Sequence, residues 1–227
     1  QWEIDHITAD LTAIRKLQPV LRKGQWQVTV ALHKDHISAS HKLIDIWPGL
    51  HEDGIYGLAI DLGSTTVAMH LTHLKTGEAV ASSGIMNPQI RFGEDLMSRV
   101  SYVMMNPGGD TEMTSAVREA INELTQKIAI DAAIDPALIL EVVFVCNPVM
   151  HHLLLGIDPV ELGQAPFALA TSDSLRLPAH ELQLSALNRR AECYILPCIA
   201  GHVGADAAAV TLSEEPGKSK GLVLVVD

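Results

Sequence analysis

Residues 56–66 read Tyr-Gly-Leu-Ala-Ile-Asp-Leu-Gly-Ser-Thr-Thr: an apolar run that ends in an acid, followed by a glycine and three hydroxyl residues. Apolar, β-rich sequence returns at Val67 and continues to Leu74, so the pattern predicts a strand, a tight turn and a second strand. A turn of this kind directs backbone N–H groups and hydroxyls at an anion, and an acid at the strand end, here Asp61, holds a hydrated Mg²⁺. The Gly-Lys-Ser/Thr ending of the P-loop is absent.

Bulk composition narrows the classes of protein that the chain could be. It has 227 residues, is 48% hydrophobic and 19% charged, and carries a net charge of −11, which is typical of a globular domain and argues against a nucleic-acid partner. The apolar runs are too short for a membrane span and no signal peptide opens the sequence, so we expect a cytoplasmic protein. Three irregularly spaced cysteines predict buried, reduced thiols rather than disulfides or a zinc site: Cys146, Cys193 and Cys198.

The turn motif alone also fits an ordinary hairpin that binds nothing. The order of the remaining elements is therefore needed to choose between a hairpin and a phosphate-binding turn. The pattern of residues 1–53 predicts a small α+β unit with a strand at Trp2–Ile4 and two strands at Trp26–Leu32 and His41–Trp47. Between the first two strands it predicts a helix that Thr8 or Asp10 can cap and that runs to Lys23, with Ile14, Leu17 and Leu21 on its apolar face. Residues 54–227 predict three antiparallel strands, two helices, and then alternating strands and helices. The predicted elements of that second part include a long helix with a stripe of Val117, Ile121, Leu124 and Ile128, a central parallel strand at Leu140–Cys146, a helix between Asp158 and Leu187, and a last strand at Leu222–Val226.

That order of elements is the layout of the ribonuclease-H-like fold, the building block of actin-like ATPases and sugar kinases. The predicted fold class is therefore α/β, a ribonuclease-H-like lobe with a mixed sheet, preceded by the small α+β unit.

Within that fold class, the sequence resembles the reductive activators of corrinoid proteins, a branch of the actin-like ATPase superfamily. The resemblance covers nearly the whole chain and depends on five segments: residues 57–66, residues 87–99 (Asn-Pro-Gln-Ile-Arg-Phe-Gly-Glu-Asp-Leu-Met-Ser-Arg), residues 150–159 (Met-His-His-Leu-Leu-Leu-Gly-Ile-Asp-Pro), residues 165–167 (Ala-Pro-Phe) and residues 196–206 (Leu-Pro-Cys-Ile-Ala-Gly-His-Val-Gly-Ala-Asp). The chain departs from the family at Cys146-Asn-Pro-Val149, where Gly-Asn-Thr-Thr is usual, and at Ser64, where threonine is common.

The resemblance implies a domain organisation and a set of ligands. Residues 1–53 would be the end of a small middle domain and residues 54–227 the first lobe of an ATPase-like domain. The second lobe and an N-terminal 2Fe–2S domain would lie outside this sequence, which has no Cys-x₄-Cys-x₂-Cys spacing. The implied ligands and partners are ATP, Mg²⁺, a corrinoid protein and a second copy of the chain.

The resemblance also assigns roles to individual residues. Asp61 would orient Mg²⁺ through water and take part in catalysis, and the β- and γ-phosphates would lie against Gly63, Ser64, Thr65 and Thr66. Asp206, at the start of a helix rich in small residues, would orient a water or polarise a hydroxyl, or else simply bind free N–H groups of that helix. The remaining candidates for the nucleotide cleft are Asn147, Gly201, Gly204 and Asp227, the last of which would open a second phosphate loop.

The polar residues between Asn87 and Arg99 allow two interpretations. Glu94 and Asp95 stand four to five residues before Arg99, a spacing that favours internal salt bridges. The alternative is a surface for a partner protein or a second subunit, which stays open for Asn87, Gln89, Arg91, Glu94 and Asp95. The adjacent pair His151 and His152 is expected to cap or pack rather than to bind metal.

Three functions are compatible with these residues. The first is an ATP-dependent reductive activator that returns stalled Co(II) corrinoid proteins of methyltransferase systems to Co(I) with an electron from a 2Fe–2S domain. The second is a kinase that phosphorylates a small metabolite on the same fold. The third is a module that only dimerises or docks. Since half of the nucleotide cleft would be missing, we expect residues 1–227 alone to be a poor ATPase.

Overall fold

A computed structural model gives the structure of the protein and describes residues 4, 6–34, 40–218 and 221–224. The α-helices in that part are α1 Leu11–Lys23, α2 Leu96–Met105, α3 Gly109–Asp131, α4 Pro148–Leu155 and α5 Ala205–Glu214. The strands are β1 Ile7–Thr8, β2 Val28–Lys34, β3 His41–Pro48, β4 Tyr56–Leu62, β5 Thr66–His73, β6 Ala79–Met86, β7 Ile139–Cys146, β8 Leu175–Pro178 and β9 Glu192–Ile195. Over these residues, no helix combines the length and the apolarity needed to span a membrane.

The first sheet is small, with the strand order β1-β3-β2 and with α1 packed on β3. The cap is as the sequence predicts, because the Asp10 carboxylate accepts a hydrogen bond from the N–H of Ala13 at 2.7 Å. The predicted apolar face is wrong: Ile14 is 53% exposed and Leu17 is 36% exposed. The helix instead packs through Ala13 and Val20, and Lys16 between them pairs with Asp45 of β3.

The second sheet has the order β6-β5-β4-β7-β9-β8. Strands β4, β7 and β9 run parallel, and β5, β6 and β8 are each antiparallel to their neighbours. The predicted central parallel strand is therefore confirmed as β7, which lies between β4 and β9. Helix α3 contacts β5 and β6, and the predicted stripe is buried: Val117, Ile121, Leu124 and Ile128. Its N-cap is Gly108, and Asp110 lies in the first turn.

The structure differs from the sequence-based expectation in the last third of the chain. No α-helix is found between residues 158 and 187, where the structure has two 3₁₀ turns, Val160–Gly163 and Ala179–Leu182, and the short edge strand β8. The predicted strand at Leu222–Val226 is not found over residues 222–224, which have no strand partner; Leu222 and Leu224 are exposed. A strand needs a neighbour for its N–H groups, and the described residues supply none there. Ile4 is not in a strand; the rest of the predicted strand at Trp2–Ile4, and Asp227, lie outside the described residues.

A buried polar network joins the two sheets. The carboxylate of Asp45, on β3, accepts hydrogen bonds from the Arg190 guanidinium at 3.0 Å, from Lys16 at 2.5 Å and from the Asn188 amide at 2.7 Å. Arg190 also donates from Nε to the Ile44 carbonyl at 2.6 Å. Because Asn188 and Arg190 directly precede β9, the network fixes the first unit against the edge region of the second sheet.

Candidate functional site

The turn between β4 and β5 is built as the sequence predicts. The N–H of Gly63 donates to the carbonyl of Thr66 at 3.0 Å, which leaves Ser64 and Thr65 at the tip. A Cβ added to Gly63 would lie 2.7 Å from the Thr66 carbonyl oxygen, so this position requires glycine because the two strands approach too closely for a side chain. Thr65 and Thr66 are exposed.

Two buried residues hold this turn from behind. Asn87, which follows β6 directly, donates from its backbone N–H to the Thr65 carbonyl and from Nδ2 to the Gly63 carbonyl, both at 2.8 Å. The Arg99 guanidinium donates from Nη2 to the Ser64 carbonyl. Three successive carbonyls of the turn thus accept hydrogen bonds from side-chain or backbone donors that are fully buried.

A further buried residue, Gln89, fixes Arg99 in turn. Arg99 donates from Nη1 to Gln89 Oε1 at 3.3 Å and from Nε to the Gly93 carbonyl at 3.0 Å. The Gln89 amide donates to the Met113 carbonyl of α3 at 2.9 Å. We call Asn87, Gln89 and Arg99 the turn cradle. The sequence signal for it was the run of polar residues directly after β6, but that pattern did not show what they bind.

The expected salt bridges of Arg99 are wrong. Asp95 caps α2 through a 2.7 Å hydrogen bond from the N–H of Ser98, and this backbone hydrogen bond is the main cause that lowers the pKa of Asp95. In the described ranges, no carboxylate lies within ion-pairing distance of Arg99. The partner-surface alternative is also wrong for Asn87, Gln89 and Arg99, which are buried. It stays open for the exposed residues Arg91, Glu94 and Asp95.

The structure brings the two predicted catalytic carboxylates to one end of the second sheet. Asp61 lies on β4 one residue before Leu62, which pairs with Cys146 at the end of β7. Asp206 lies in the first turn of α5, which contacts β7. Burial raises the pKa of the Cys146 thiol well above its ordinary value, and the nearby Cys198, Asp206 and Asp61 raise it further. Both carboxylates are therefore near the same sulfur, at the carboxyl end of the parallel strands.

Helix α5 approaches this end of the sheet closely because Gly204 has no side chain. A Cβ there would lie 2.6 Å from Asn147 Cα and 2.8 Å from the Cys146 carbonyl oxygen. At Gly201 a Cβ would lie 1.8 Å from the Phe167 carbonyl oxygen, so that glycine is also a packing requirement. Asp206 accepts a hydrogen bond from the N–H of Ala207 at 2.8 Å, and the N-cap of the helix is Gly204.

Asn147 has a structural role that accounts for part of its position. Its Oδ1 accepts a hydrogen bond from the N–H of Met150 at 2.9 Å, and Pro148 occupies the first position of α4. The residue is half-buried beside Gly204, so it lies at the end of the sheet that carries Asp61 and Asp206.

The two adjacent histidines are buried in α4. The His152 ring has Nδ1 2.8 Å from the Pro148 carbonyl and Nε2 3.1 Å from the N–H of Ala170, so Nδ1 carries the proton and the ring is neutral. Burial, with a smaller contribution from His152, lowers the pKa of His151 to about 4. Across the part of the chain that the structure describes, no group of three or more metal-ligating side chains comes together.

The three cysteines are buried and unpaired, as predicted. Burial raises the pKa of the Cys193 thiol to about 12 and also raises the pKa of Cys198. These thiols are therefore protonated at neutral pH and chemically unreactive.

Comparison with known proteins identifies the family. A family model described as the RACo middle region matches residues 56–217, and one described as the RACo linker region matches residues 1–53. The chain belongs to the RACo family. A corrinoid activation enzyme of Eubacterium limosum, RamQ, is 31% identical to this RACo-family chain over 189 residues, which are 83% of the chain and 32% of RamQ.

The fold of this RACo-family chain is also that of a solved relative. The structure of a reductive activator for corrinoid, iron-sulfur protein superimposes with a TM-score of 0.84 at 31% identity, and covers 94% of the chain and 34% of the relative. The chain thus spans about a third of the length of the relatives that it matches. This match and the order of the second sheet confirm the predicted fold class, a mixed α/β lobe of the actin-like ATPase type.

Proposed function

We propose that this RACo-family chain supplies one half of a Mg²⁺·ATP site in an ATP-dependent reductive activator that returns corrinoid proteins of methyltransferase systems from Co(II) to Co(I). The names of the two relatives support the corrinoid-activating role. The observation that carries the nucleotide part is the turn at Gly63–Thr66, which presents backbone N–H groups and hydroxyls beside Asp61.

The residues at the turn fit a phosphate and a magnesium ion. In the part of the chain that the structure covers, the N–H groups of Ser64 and Thr65 donate to no protein atom, so they remain able to bind an anion. A side chain at Gly63 would clash with Thr66. Asp61 is exposed and contributes carboxylate oxygens, the ligands that Mg²⁺ prefers, usually with several waters retained.

Each residue at this end of the sheet has a defined task in the proposal. A bound Mg²⁺ would neutralise negative charge on the phosphates of the nucleotide. Asp61 orients the ion through water, and the Ser64 and Thr65 N–H groups with the Thr66 hydroxyl bind phosphate oxygens. Asp206 holds a water or a hydroxyl, and Asn147, Gly201 and Gly204 form the wall of the same cleft. Asp227, outside the described residues, begins the second phosphate loop.

The wider reaction involves parts that lie outside residues 1–227. We propose that the electron that reduces Co(II) comes from a 2Fe–2S cluster in another domain, that residues 54–227 are the first lobe of the ATPase-like domain, that residues 1–53 end the middle domain, and that two copies assemble. These statements follow from the resemblance to the family.

The test uses the full-length protein and the substitution Asp61→Ala, with Asp131→Ala, an exposed acid at the end of α3, as the matched control. Titration calorimetry with Mg²⁺ and ATP should show binding weakened at least about tenfold for Asp61→Ala only, which is about 1.4 kcal/mol. ATP-stimulated reduction of a Co(II) corrinoid protein, followed by absorbance, should be lost in parallel.

Unchanged binding and reduction in Asp61→Ala would remove this residue from the site. A full-length protein that binds no ATP would be a docking module instead. One that phosphorylates a metabolite and reduces no cobalt would be a kinase.

A further inference from the structure

We propose that Arg99 is a positioning residue for the phosphate turn. Together with Asn87 it holds successive carbonyls on the buried side, so that the N–H groups of Ser64 and Thr65 face the opposite side, where the phosphate binds. The inference rests on the proposed function, because the anion is the phosphate of the nucleotide.

The argument begins with peptide geometry. In a trans peptide the carbonyl of one residue and the N–H of the next point in opposite directions. The Gly63 carbonyl accepts from Asn87 Nδ2 at 2.8 Å, so the Ser64 N–H points away from the cradle. The Ser64 carbonyl accepts from Arg99 Nη2, so the Thr65 N–H also points away. Two successive N–H groups aimed at one side form an anion-binding concavity.

The cradle holds Arg99 in a single orientation. Its Nε donates to the Gly93 carbonyl and its Nη1 to Gln89, which is itself bound to the Met113 carbonyl of α3. Every contact is made by a side chain that is 0% exposed. The turn is thus connected to the long helix through buried hydrogen bonds, and little conformational entropy remains to be lost when a phosphate binds.

The charge of Arg99 adds an electrostatic effect. Burial lowers the pKa of Arg99, but a guanidinium remains protonated at neutral pH. Its described acceptors are carbonyl groups and a thioether sulfur, Met150 Sδ at 3.1 Å, and none of them carries a formal charge. The carboxylate of Asp95 acts on Arg99 through space without forming an ion pair with it, and an anion on the other side of the Ser64 peptide further lowers the cost of burying this cation.

The closing experiment compares Arg99→Met with Arg118→Met in the full-length protein. Arg118, which is half-buried, is the matched control because its guanidinium also binds a backbone carbonyl, that of Leu154, at 2.8 and 3.0 Å. We expect Arg99→Met to weaken Mg²⁺·ATP binding about 10- to 100-fold, by analogy with the loss seen when a residue that orients a metal ligand is removed. Amide exchange at Ser64 and Thr65 should become faster without ligand, while Arg118→Met retains wild-type affinity.

A second variant covers the case in which Arg99→Met does not fold. Gln89→Glu keeps the shape of the cradle and places a carboxylate beside Arg99, so it should weaken ATP binding. It also gives up the hydrogen bond to the Met113 carbonyl, so thermal stability should fall, and binding is measured at a temperature where the variant is folded. If either folded variant binds Mg²⁺·ATP like the wild type while Asp61→Ala does not, the inference on Arg99 is wrong and the proposed function stands. If the wild type binds no nucleotide, both are wrong.

Discussion

Arg190 and Arg99 are both buried, yet the structure surrounds them differently. Arg190, 6% exposed, donates to the Asp45 carboxylate at 3.0 Å and to the Ile44 carbonyl at 2.6 Å. Arg99, 0% exposed, donates to the Ser64 and Gly93 carbonyls and to the amide of Gln89. Arg190 forms an ion pair with a carboxylate of the chain. Within the described residues Arg99 donates hydrogen bonds only to neutral groups, and Asp95 acts on it through space without an ion pair.

The difference indicates what each region does. The charges of Asp45 and Arg190 neutralise each other, so this pair joins the two sheets and does not call for a charged ligand. The turn cradle keeps a buried positive charge that has no ion-pair partner among the described residues, although Asp95 acts on it through space. It lies beside two N–H groups that donate to no described protein atom, so an anion that binds there lowers the cost of burying the charge. Retained charge in a buried position is therefore a better marker of a ligand site than burial of a charged residue as such.

The largest expected effect on stability comes from breaking the Asp45–Arg190 ion pair. Arg190→Met leaves the Asp45 carboxylate buried with only Lys16 and Asn188, so we expect the free energy of unfolding to fall by about 3–5 kcal/mol. Urea unfolding followed by tryptophan fluorescence, to which Trp47 on β3 contributes, measures this loss. A loss below about 1 kcal/mol would mean that the pair contributes little to the union of the two sheets.

A smaller effect, on the pH dependence of stability, distinguishes the neutral ring of His151 from the charged guanidinium of Arg99. His151 follows Met150, whose sulfur contacts Arg99, but its pKa of about 4 makes it neutral where Arg99 stays charged. Because the folded pKa lies below the ordinary 6.5, the unfolded state takes up the proton first as the pH falls. We expect the free energy of unfolding to decrease between pH 7 and pH 4, by on the order of 1–2 kcal/mol at pH 5.

The measurement is urea unfolding at pH 7 and pH 5 for the wild type and His151→Leu. The substitution should flatten the pH dependence, whereas His70→Leu, at an exposed position of β5, should not. Equal slopes for the wild type and His151→Leu would contradict the assignment of a neutral, buried ring.

Local sequence patterns predicted most of the fold. Features that depend on contacts between residues distant in the sequence could not be predicted. The turn at Gly63 and the Asp10 cap each depend on residues a few positions apart, so both could be predicted from the sequence. The face of α1 was not, because Asp45, 29 residues from Lys16, decides which side of the helix packs. The strand β8 is short and pairs only at the sheet edge, so it left no periodic signal.

The candidate site divides in the same way. Asp61 and the hydroxyl turn were identified from their order alone, and the nearness of Asp206 follows from strands whose carboxyl ends meet at one edge. The cradle could not be predicted, since Arg99 lies 35 residues from Ser64 and its spacing to Asp95 favoured a different partner. The partner of a polar side chain can be identified only when the fold has brought the two residues together. Burial of apolar residues, in contrast, can be predicted from the periodicity of the sequence.

The smallest expected effect compares two cations on the same carboxylate. Lys16 lies 2.5 Å from Asp45, as close as an ion pair becomes, but its side chain is 41% exposed. Solvent screens that pair, and ordering the long side chain costs entropy, so Lys16→Met should lower the free energy of unfolding by no more than about 1 kcal/mol, and by less in high salt. Urea unfolding in low and high salt, beside Arg190→Met, measures the contrast. Losses of equal size would show that burial of the cation is not what distinguishes the two pairs, and the reasoning that assigns Arg99 a charge-bearing role would lose its support.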